Sequence, residues 1–190
     1  MPDRVEPDLT SAYAAALPRV TLVIGGARSG KSRYAETLIE AAAPSALYLA
    51  TAEARDPEMA ERIRRHRGRR HPRWATVEEP LALRQALACE MRADRPILVE
   101  CLTLWVSNLL EAGSDVAVES SALAALLPLS GGSVVFVANE VGLGIVPDTP
   151  LARIFRDHAG RLNQAIAARA DRVVFIAAGL PLILKDTTRC

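Results

Sequence analysis

The segment from Gly25 to Ser32 constrains this chain most strongly. It reads Gly-Gly-Ala-Arg-Ser-Gly-Lys-Ser and lies between an apolar, β-branched run, Val20 to Ile24, and the start of a helical pattern. Glycines in such a loop let backbone N–H groups turn inward around an anion, a lysine reaches the β- and γ-phosphates, and a serine holds Mg²⁺. The alternative is a glycine-rich turn that binds nothing. We predict a nucleoside triphosphate site at Gly25, Gly26, Ala27, Arg28, Ser29, Gly30, Lys31 and Ser32.

The composition is that of a compact single domain. The chain has 190 residues, of which half are hydrophobic, and its formal net charge is +1. A chain of this length buries roughly 70% of its unfolded surface, and such a charge carries no global signal for nucleic acid or membrane. Cys89, Cys101 and Cys190 are widely spaced, so neither a disulfide framework nor a zinc site is indicated. A cytoplasmic location is expected.

Met1 to Pro18 precede the first predicted strand, and we interpret them as a poorly ordered extension. This segment contains three acidic residues and three prolines, which is unlike a secretory signal. No apolar stretch approaches the roughly 18 to 20 residues of a membrane span. Residues 19–190 are therefore predicted to form one domain, with no membrane span.

Short apolar runs alternate with amphipathic segments, which is typical of a parallel sheet covered by helices. Six strands are predicted, at Val20–Gly25, Ala46–Thr51, Trp74–Glu78, Pro96–Cys101, Ser133–Ala138 and Arg172–Ala178. The predicted helices span Lys31–Ala43, Pro57–Arg67, Leu81–Arg92, Leu102–Glu111, Val118–Leu127 and Pro150–Arg169. Asp56 and Thr149 each precede a proline, as at a capped helix start. The predicted fold class is α/β, a single-domain P-loop NTPase with a RecA-like, mostly parallel sheet flanked by helices.

Functional groups collect at the carboxyl ends of the strands in such a sheet. Thr51, Ala52 and Glu53 follow the second predicted strand, where a base or ribose could sit. Glu100 ends the fourth strand, where a P-loop enzyme keeps the carboxylate that positions Mg²⁺. The alternative for Glu100 is an ordinary solvated strand end. The loop 139–147 after the fifth strand fits equally well a polar edge of the cleft and a plain turn.

Arginine is concentrated between Arg55 and Arg73, where eight arginines stand against three acidic residues. On the helix predicted there, His66 shares the apolar face with Met59 and Ile63, and Gly68 is predicted to end the helix. A lone inward histidine is more often a core residue than a catalyst. Guanidinium groups around the helix end, however, can bind polyphosphate and disfavour protonation of the imidazole, which leaves it a nucleophile.

The other two histidines are interpreted as structural. His71 precedes Pro72 in a predicted loop. His158 lies on the apolar stripe of the last long helix, which is predicted to pack into the core through Leu151, Ile154, Phe155, Leu162 and Ile166.

Further motifs accompany the phosphate-binding loop from about Val20 to Leu184. They are Tyr48-Leu49-Ala50-Thr51, the run from Glu58 to Ile63 leading to His66, Val99-Glu100-Cys101, the loop Asn-Glu-Val-Gly-Leu-Gly-Ile-Val-Pro at 139–147, and Phe155-Arg156-Asp157 with Ala159-Gly160-Arg161 and Asn163-Gln164. Together they resemble the bifunctional adenosylcobinamide kinase / adenosylcobinamide-phosphate guanylyltransferase family of cobalamin biosynthesis. The phosphate loop alone matches many kinases, whereas the 139–147 loop and the last helix are specific to this family.

The resemblance implies a set of site residues. GTP is implied to bind through the phosphate loop and through Thr51, Ala52, Glu53, Arg67, Gly68, Arg69, Arg70, Glu78 and Glu100. Lys31 and His66 are the implied catalytic residues, with His66 carrying GMP, and Ser32 and Glu100 are the implied Mg²⁺ ligands. The implied nucleotide is GTP or ATP, the implied substrates are adenosylcobinamide and its phosphate, and a homo-oligomer, with a trimer as the suggested form, is expected.

The chain departs from the family pattern in places. Arg65 stands where a second histidine can occur, the tail from Leu180 to Cys190 is divergent, and residues 67–72 are richer in arginine than expected.

Two other functions fit parts of the sequence. A monofunctional small-molecule kinase would use the phosphate loop and keep His66 as a structural residue. A RecA-like nucleic-acid motor or a regulatory nucleotide-binding module would use Arg62 to Arg73 on phosphates, but that segment contains no aromatic residue for base stacking, and only Trp74 follows it.

Overall fold

A computed structural model describes residues 17–53, 61, 64, 68, 72–127 and 131–188 of the chain. Seven strands form one sheet in the order β3-β2-β4-β5-β1-β6-β7. All neighbouring strands are parallel except β6 and β7, which pair antiparallel. The strands are β1 (Val20–Gly25), β2 (Ala46–Ala50), β3 (Trp74–Glu78), β4 (Ile97–Glu100), β5 (Val134–Asn139), β6 (Arg172–Ala177) and β7 (Leu180–Asp186).

Helices cover both faces of the sheet. Successive residues of β1 show why its sequence is apolar without alternation: Leu22 and Val23 are both fully buried, in two different core clusters. A strand buried on two faces needs apolar residues at every position. The first described helix contributes to one cluster and the other four to the opposite one. The helices are α1 (Lys31–Ala42), α2 (Leu83–Glu90), α3 (Leu102–Glu111), α4 (Val116–Leu126) and α5 (Pro150–Arg169).

The predicted fold class and all six predicted strands are confirmed, with bounds that differ by no more than one residue. The predicted helix Pro57–Arg67 and its Asp56 cap lie largely outside the described residues. Glu61, Arg64 and Gly68 are helical, and the prediction that this helix ends at Gly68 stays a prediction because residues 69–71 lie outside the described part of the chain. At the other end of the chain, Thr149 caps α5 as predicted, because its side chain accepts a hydrogen bond from the Ala152 amide.

The tail holds an additional strand that the sequence analysis did not predict. Leu180–Asp186 pairs with β6 and forms an edge of the sheet. The Lys185 ammonium donates hydrogen bonds to the carbonyls of Ala167 and Ala168 at the end of α5. At the start of the described chain, Leu17 packs against one core cluster and Pro18 is buried. These last two residues of the predicted extension therefore lie against the domain.

Helix α5 differs from its prediction in its first two turns. Leu162 and Ile166 are buried as expected, and Phe155 is partly buried against the same cluster. Leu151 and Ile154 are exposed, at 64% and 47%, so the prediction that these two residues pack into the core is wrong.

No helix in the described part of the chain combines the length and apolar character needed to cross a membrane.

A buried ion pair joins the two final strands. Arg172 Nε donates to Asp186 Oδ2 at 3.2 Å, and both side chains are at least nine-tenths buried. Thr188 donates its hydroxyl to Asp186 Oδ1 at 2.6 Å and its amide at 3.1 Å. Burial raises the pKa of the Asp186 carboxyl, but the hydrogen bonds from Thr188 and the charge of Arg172 outweigh that effect and lower the pKa below its usual range.

Asp186→Asn is therefore expected to lower the free energy of unfolding by about 1–3 kcal/mol at pH 7, because it leaves Arg172 without its carboxylate. A depressed folded-state pKa stabilises the fold above the unfolded pKa, and this contribution is lost as the pH falls through the folded pKa. The free energies of unfolding of Asp186→Asn and of the unmodified protein should therefore become more similar below about pH 4. Urea titrations across this range measure it, with Asp94→Asn on an exposed turn as control. A deficit that stays constant with pH would contradict the assignment.

Candidate nucleotide site

The loop between β1 and α1 needs glycine at two positions. Gly25 has a φ of 153°, and a Cβ there would lie 2.3 Å from the carbonyl oxygen of Ile176 on β6. Gly30 has a φ of 102° and immediately precedes α1. Both conformations favour a residue without a Cβ. The two glycines thus let the loop turn tightly between a buried strand and the N-terminus of a helix, which is the arrangement that binds phosphate.

The side chain of Lys31 lies over this loop. Its ammonium donates a hydrogen bond to the carbonyl of Gly26 at 2.6 Å, and the residue is only 6% exposed. A charge held in this way stays close to the backbone amides of the loop and is less screened by solvent than a surface lysine. The predicted cation of the phosphate loop is therefore already directed toward the predicted phosphate position.

Ser32 and Glu100 meet although their elements are not adjacent. Strand β4, which ends in Glu100, is separated from β1 by β5. The hydroxyl of Ser32 in the first turn of α1 nevertheless donates to Glu100 Oε1 at 2.8 Å. This contact favours the interpretation of Glu100 as a carboxylate of the nucleotide site over the alternative of an ordinary solvated strand end. An alcohol and a carboxylate oxygen beside a phosphate loop are the hard ligands that suit Mg²⁺ held partly by water and substrate phosphates.

No group of three or more histidine, cysteine or acidic side chains in the described ranges could hold a metal by itself.

Cys101 follows Glu100 and begins α3. Its sulfur accepts a hydrogen bond from the Leu104 amide at 3.4 Å and so caps the helix. Burial raises the pKa of the Cys101 thiol to about 11, and the negative charge of Glu100 acts in the same direction. The thiol is neutral at physiological pH, and its role here is structural.

The other predicted nucleotide residues occupy the ends of two neighbouring strands. Thr51 is fully buried after β2, whereas Ala52 is half-buried and Glu53 is exposed. Glu78 is exposed at the end of β3, paired in register with Ala50. Three of the predicted residues, Thr51, Glu78 and Glu100, thus lie at the same edge of the sheet. His66, Arg67, Arg69 and Arg70 lie outside the described residues, and Gly68 is exposed.

The loop after β5 starts beside the phosphate loop. Asn139 is in register with Gly25, and the Glu140 amide donates to the Gly25 carbonyl at 2.9 Å. Glu140 Oε1 accepts from the Gly142 amide, and Arg153 on α5 donates to the carbonyls of Pro147 and Asp148. The loop is therefore held at both ends. It exposes three apolar side chains between them, Leu143, Ile145 and Val146.

Sequence analysis missed one support of the phosphate loop, the turn between β6 and β7. Ala178 and Gly179 both have positive φ angles, 51° and 82°, which is the pattern of a tight hairpin. The Gly179 amide donates to the Ser29 carbonyl at 2.9 Å, so the turn braces the middle of the phosphate loop. The only sequence signal is a single glycine between two apolar runs, and the preceding alanine is not a usual residue for such a turn.

Comparison with known proteins identifies the chain. A family model described as cobinamide kinase / cobinamide phosphate guanyltransferase matches residues 21–184. The chain belongs to this family. Within the cobinamide kinase / cobinamide phosphate guanyltransferase family, the Pseudomonas aeruginosa bifunctional adenosylcobalamin biosynthesis protein CobP is 49% identical over 166 residues, covering 86% of this chain and 96% of the relative. The Salmonella typhimurium protein CobU is 43% identical over 179 residues, covering 86% and 98%.

Solved structures agree on the fold. The flagellar accessory protein FlaH of Methanocaldococcus jannaschii superposes with a TM-score of 0.54 at 14% identity, covering 97% of this chain and 86% of its own. The RadB recombinase superposes with a TM-score of 0.54 at 15% identity, covering 92% and 82%. At these identities the likeness extends to the fold alone. The resemblance inferred from the motifs is confirmed, and the protein is an enzyme of the cobinamide kinase and guanyltransferase family.

Proposed function

We propose that this protein phosphorylates adenosylcobinamide with ATP or GTP, and then transfers GMP from GTP through His66 to the resulting phosphate. The products are adenosylcobinamide-GDP and pyrophosphate. The proposal rests on one observation above all: a phosphate loop with a buried Lys31 lies against the Ser32 and Glu100 pair in a chain of this family.

In the phosphorylation step, a hydroxyl oxygen of the cobinamide attacks the γ-phosphorus. The bond from that phosphorus to the β-bridging oxygen breaks, and the hydroxyl proton is released. The Lys31 ammonium and the loop amides stabilise the charge that moves onto the leaving diphosphate. Mg²⁺ bound at Ser32 and Glu100 would supply further neutralisation of that charge.

In the transfer step, an imidazole nitrogen of His66 attacks the α-phosphorus of GTP and expels pyrophosphate. GMP is then held through a P–N bond. A phosphate oxygen of adenosylcobinamide phosphate attacks the same phosphorus, the P–N bond breaks, and His66 is regenerated. Support for His66 comes from the motif that carries it and from the arginines around it in the sequence.

The remaining assignments complete the proposal. GTP extends from the phosphate loop along Thr51 to Glu53, residues 67–70 and Glu78; support comes from Thr51 and Glu78, which follow or end neighbouring strands at one edge of the sheet. We propose that residues 19–190 act as one domain, that the protein works in the cytoplasm, and that it acts as a homo-oligomer, with a trimer as the form that the resemblance suggests.

Product analysis tests the two reactions together. Cobinamide incubated with the protein and Mg²⁺-GTP should gain first one phosphoryl group and then one GMP, as identified by mass spectrometry. Cobinamide with ATP alone should stop at the phosphate, which separates the steps. Accumulation of cobinamide phosphate with GTP, and no further product, would favour the monofunctional kinase. The absence of any cobinamide product with either nucleotide would overturn the proposal.

A further inference from the structure

The hydroxyl of Thr51 is bonded twice to a single residue of another strand end. It donates to the carbonyl of Cys101 at 2.8 Å and accepts from the Cys101 amide at 2.9 Å. Thr51 is fully buried, so neither bond competes with solvent. Cys101, which these two bonds hold in place, directly follows Glu100 in the chain.

The backbone around Thr51 extends the clamp. The Thr51 amide donates to the carbonyl of Glu100 at 2.9 Å. On the other side, the side-chain amide of Asn108 on α3 donates to the carbonyl of Thr51 at 2.7 Å and to that of Pro80 at 3.0 Å. The end of β2, the end of β4 and the body of α3 are therefore joined through Thr51. These bonds fix the position of the backbone at Glu100 and therefore the starting point of its side chain.

We infer that Thr51 is a positioning residue whose hydroxyl holds the Glu100 carboxylate against Ser32. The inference rests on the proposed function, in which Glu100 and Ser32 position Mg²⁺ and nucleotide phosphates. Glu100 Oε1 lies 2.8 Å from the Ser32 hydroxyl, and a rotation of the clamped backbone would break that contact. Residues that orient a metal-binding group commonly alter metal affinity or activity by about 10- to 100-fold when replaced.

Three threonine variants separate this role from general packing. Thr51→Val keeps the shape but removes both hydroxyl bonds, and Thr51→Ser keeps a hydroxyl. Thr21→Val is the matched control, because Thr21 is equally buried on β1 and its hydroxyl has no hydrogen-bond partner among the described residues. The readout is the Mg²⁺ concentration that half-saturates binding of α,β-methylene-GTP, a GTP analogue that cannot transfer GMP, measured by calorimetry.

Thr51→Val is expected to raise that Mg²⁺ concentration about 10-fold or more. Thr51→Ser should recover most of the loss, and Thr21→Val should match the unmodified protein. Asn108→Ala should raise the Mg²⁺ requirement in the same direction by less, because its bond to the Thr51 carbonyl reaches the Glu100 backbone indirectly. If Thr51→Val does not fold, Asn108→Ala tests the positioning role in its place.

An unchanged Mg²⁺ requirement in folded Thr51→Val would overturn the inference, as would an unchanged requirement in Asn108→Ala if the valine variant is unfolded. Glu100→Gln distinguishes failure of the positioning role of Thr51 from failure of the proposed role of Glu100. If that variant raises the Mg²⁺ requirement and Thr51→Val does not, only the positioning role fails. If Glu100→Gln has no effect, the role of Glu100 in the proposed function fails as well.

Discussion

Lys31→Ala is expected to lower both phosphorylation of cobinamide and transfer of GMP by about 10²- to 10³-fold. The ammonium of Lys31 is buried over the phosphate loop, where it donates a hydrogen bond to the Gly26 carbonyl. Both reactions should suffer because a single triphosphate site serves them. Initial rates of the two steps, measured separately with cobinamide and with cobinamide phosphate, test this.

Lys185→Ala is the matched control, because Lys185 is the other lysine of the chain. Its ammonium binds carbonyls at the end of α5, so its loss should cost about 0.5–1 kcal/mol of stability and leave both rates unchanged. Phosphorylation lost in Lys31→Ala with GMP transfer intact would show that the two reactions use different nucleotide sites.

Those parts of the fold that depend on local pattern were predictable from the sequence. Strands buried on both faces leave continuous apolar runs, and Val20–Gly25 was predicted at its observed bounds. The phosphate loop was predictable because Gly25 and Gly30 meet backbone demands that few residues satisfy. Ser32 and Glu100 were predicted separately as Mg²⁺ ligands, Glu100 from the rule that functional groups collect at strand ends, and the structure brings the two side chains into contact.

The parts that depend on tertiary context were not predictable. Strand β7 exposes Leu180, Leu182 and Leu184, so its pattern lacks the buried face that marks a strand. Leu151 and Ile154 continue the apolar periodicity of α5 although both are exposed, and periodicity alone does not indicate whether another element covers a residue. The clamp from Thr51 to Cys101 joins residues 50 positions apart, and nothing local in the sequence indicates it.

His66→Ala is expected to abolish GMP transfer, by more than about 10³-fold, because the variant removes the proposed nucleophile of that step. Phosphorylation of adenosylcobinamide should be retained within about tenfold, since the γ-phosphate transfer uses the phosphate loop and no histidine attack. Lys31→Ala should lower both rates, whereas His66→Ala should lower only GMP transfer. This contrast separates the two roles. Equal loss of both rates in His66→Ala, in a protein that still binds GTP, would contradict the assignment.

The most direct measurement is the intact mass of the protein after incubation with Mg²⁺-GTP in the absence of cobinamide. The unmodified chain should gain one GMP through a bond that is labile in acid and stable in base, as expected of a P–N linkage. His66→Ala should gain none, while His71→Ala and His158→Ala should gain one as controls. An adduct that persists in His66→Ala and is lost in His71→Ala would contradict the assignment to His66. No adduct on the unmodified chain under any condition would contradict the guanylyl-histidine account and leave a P-loop kinase with a structural His66.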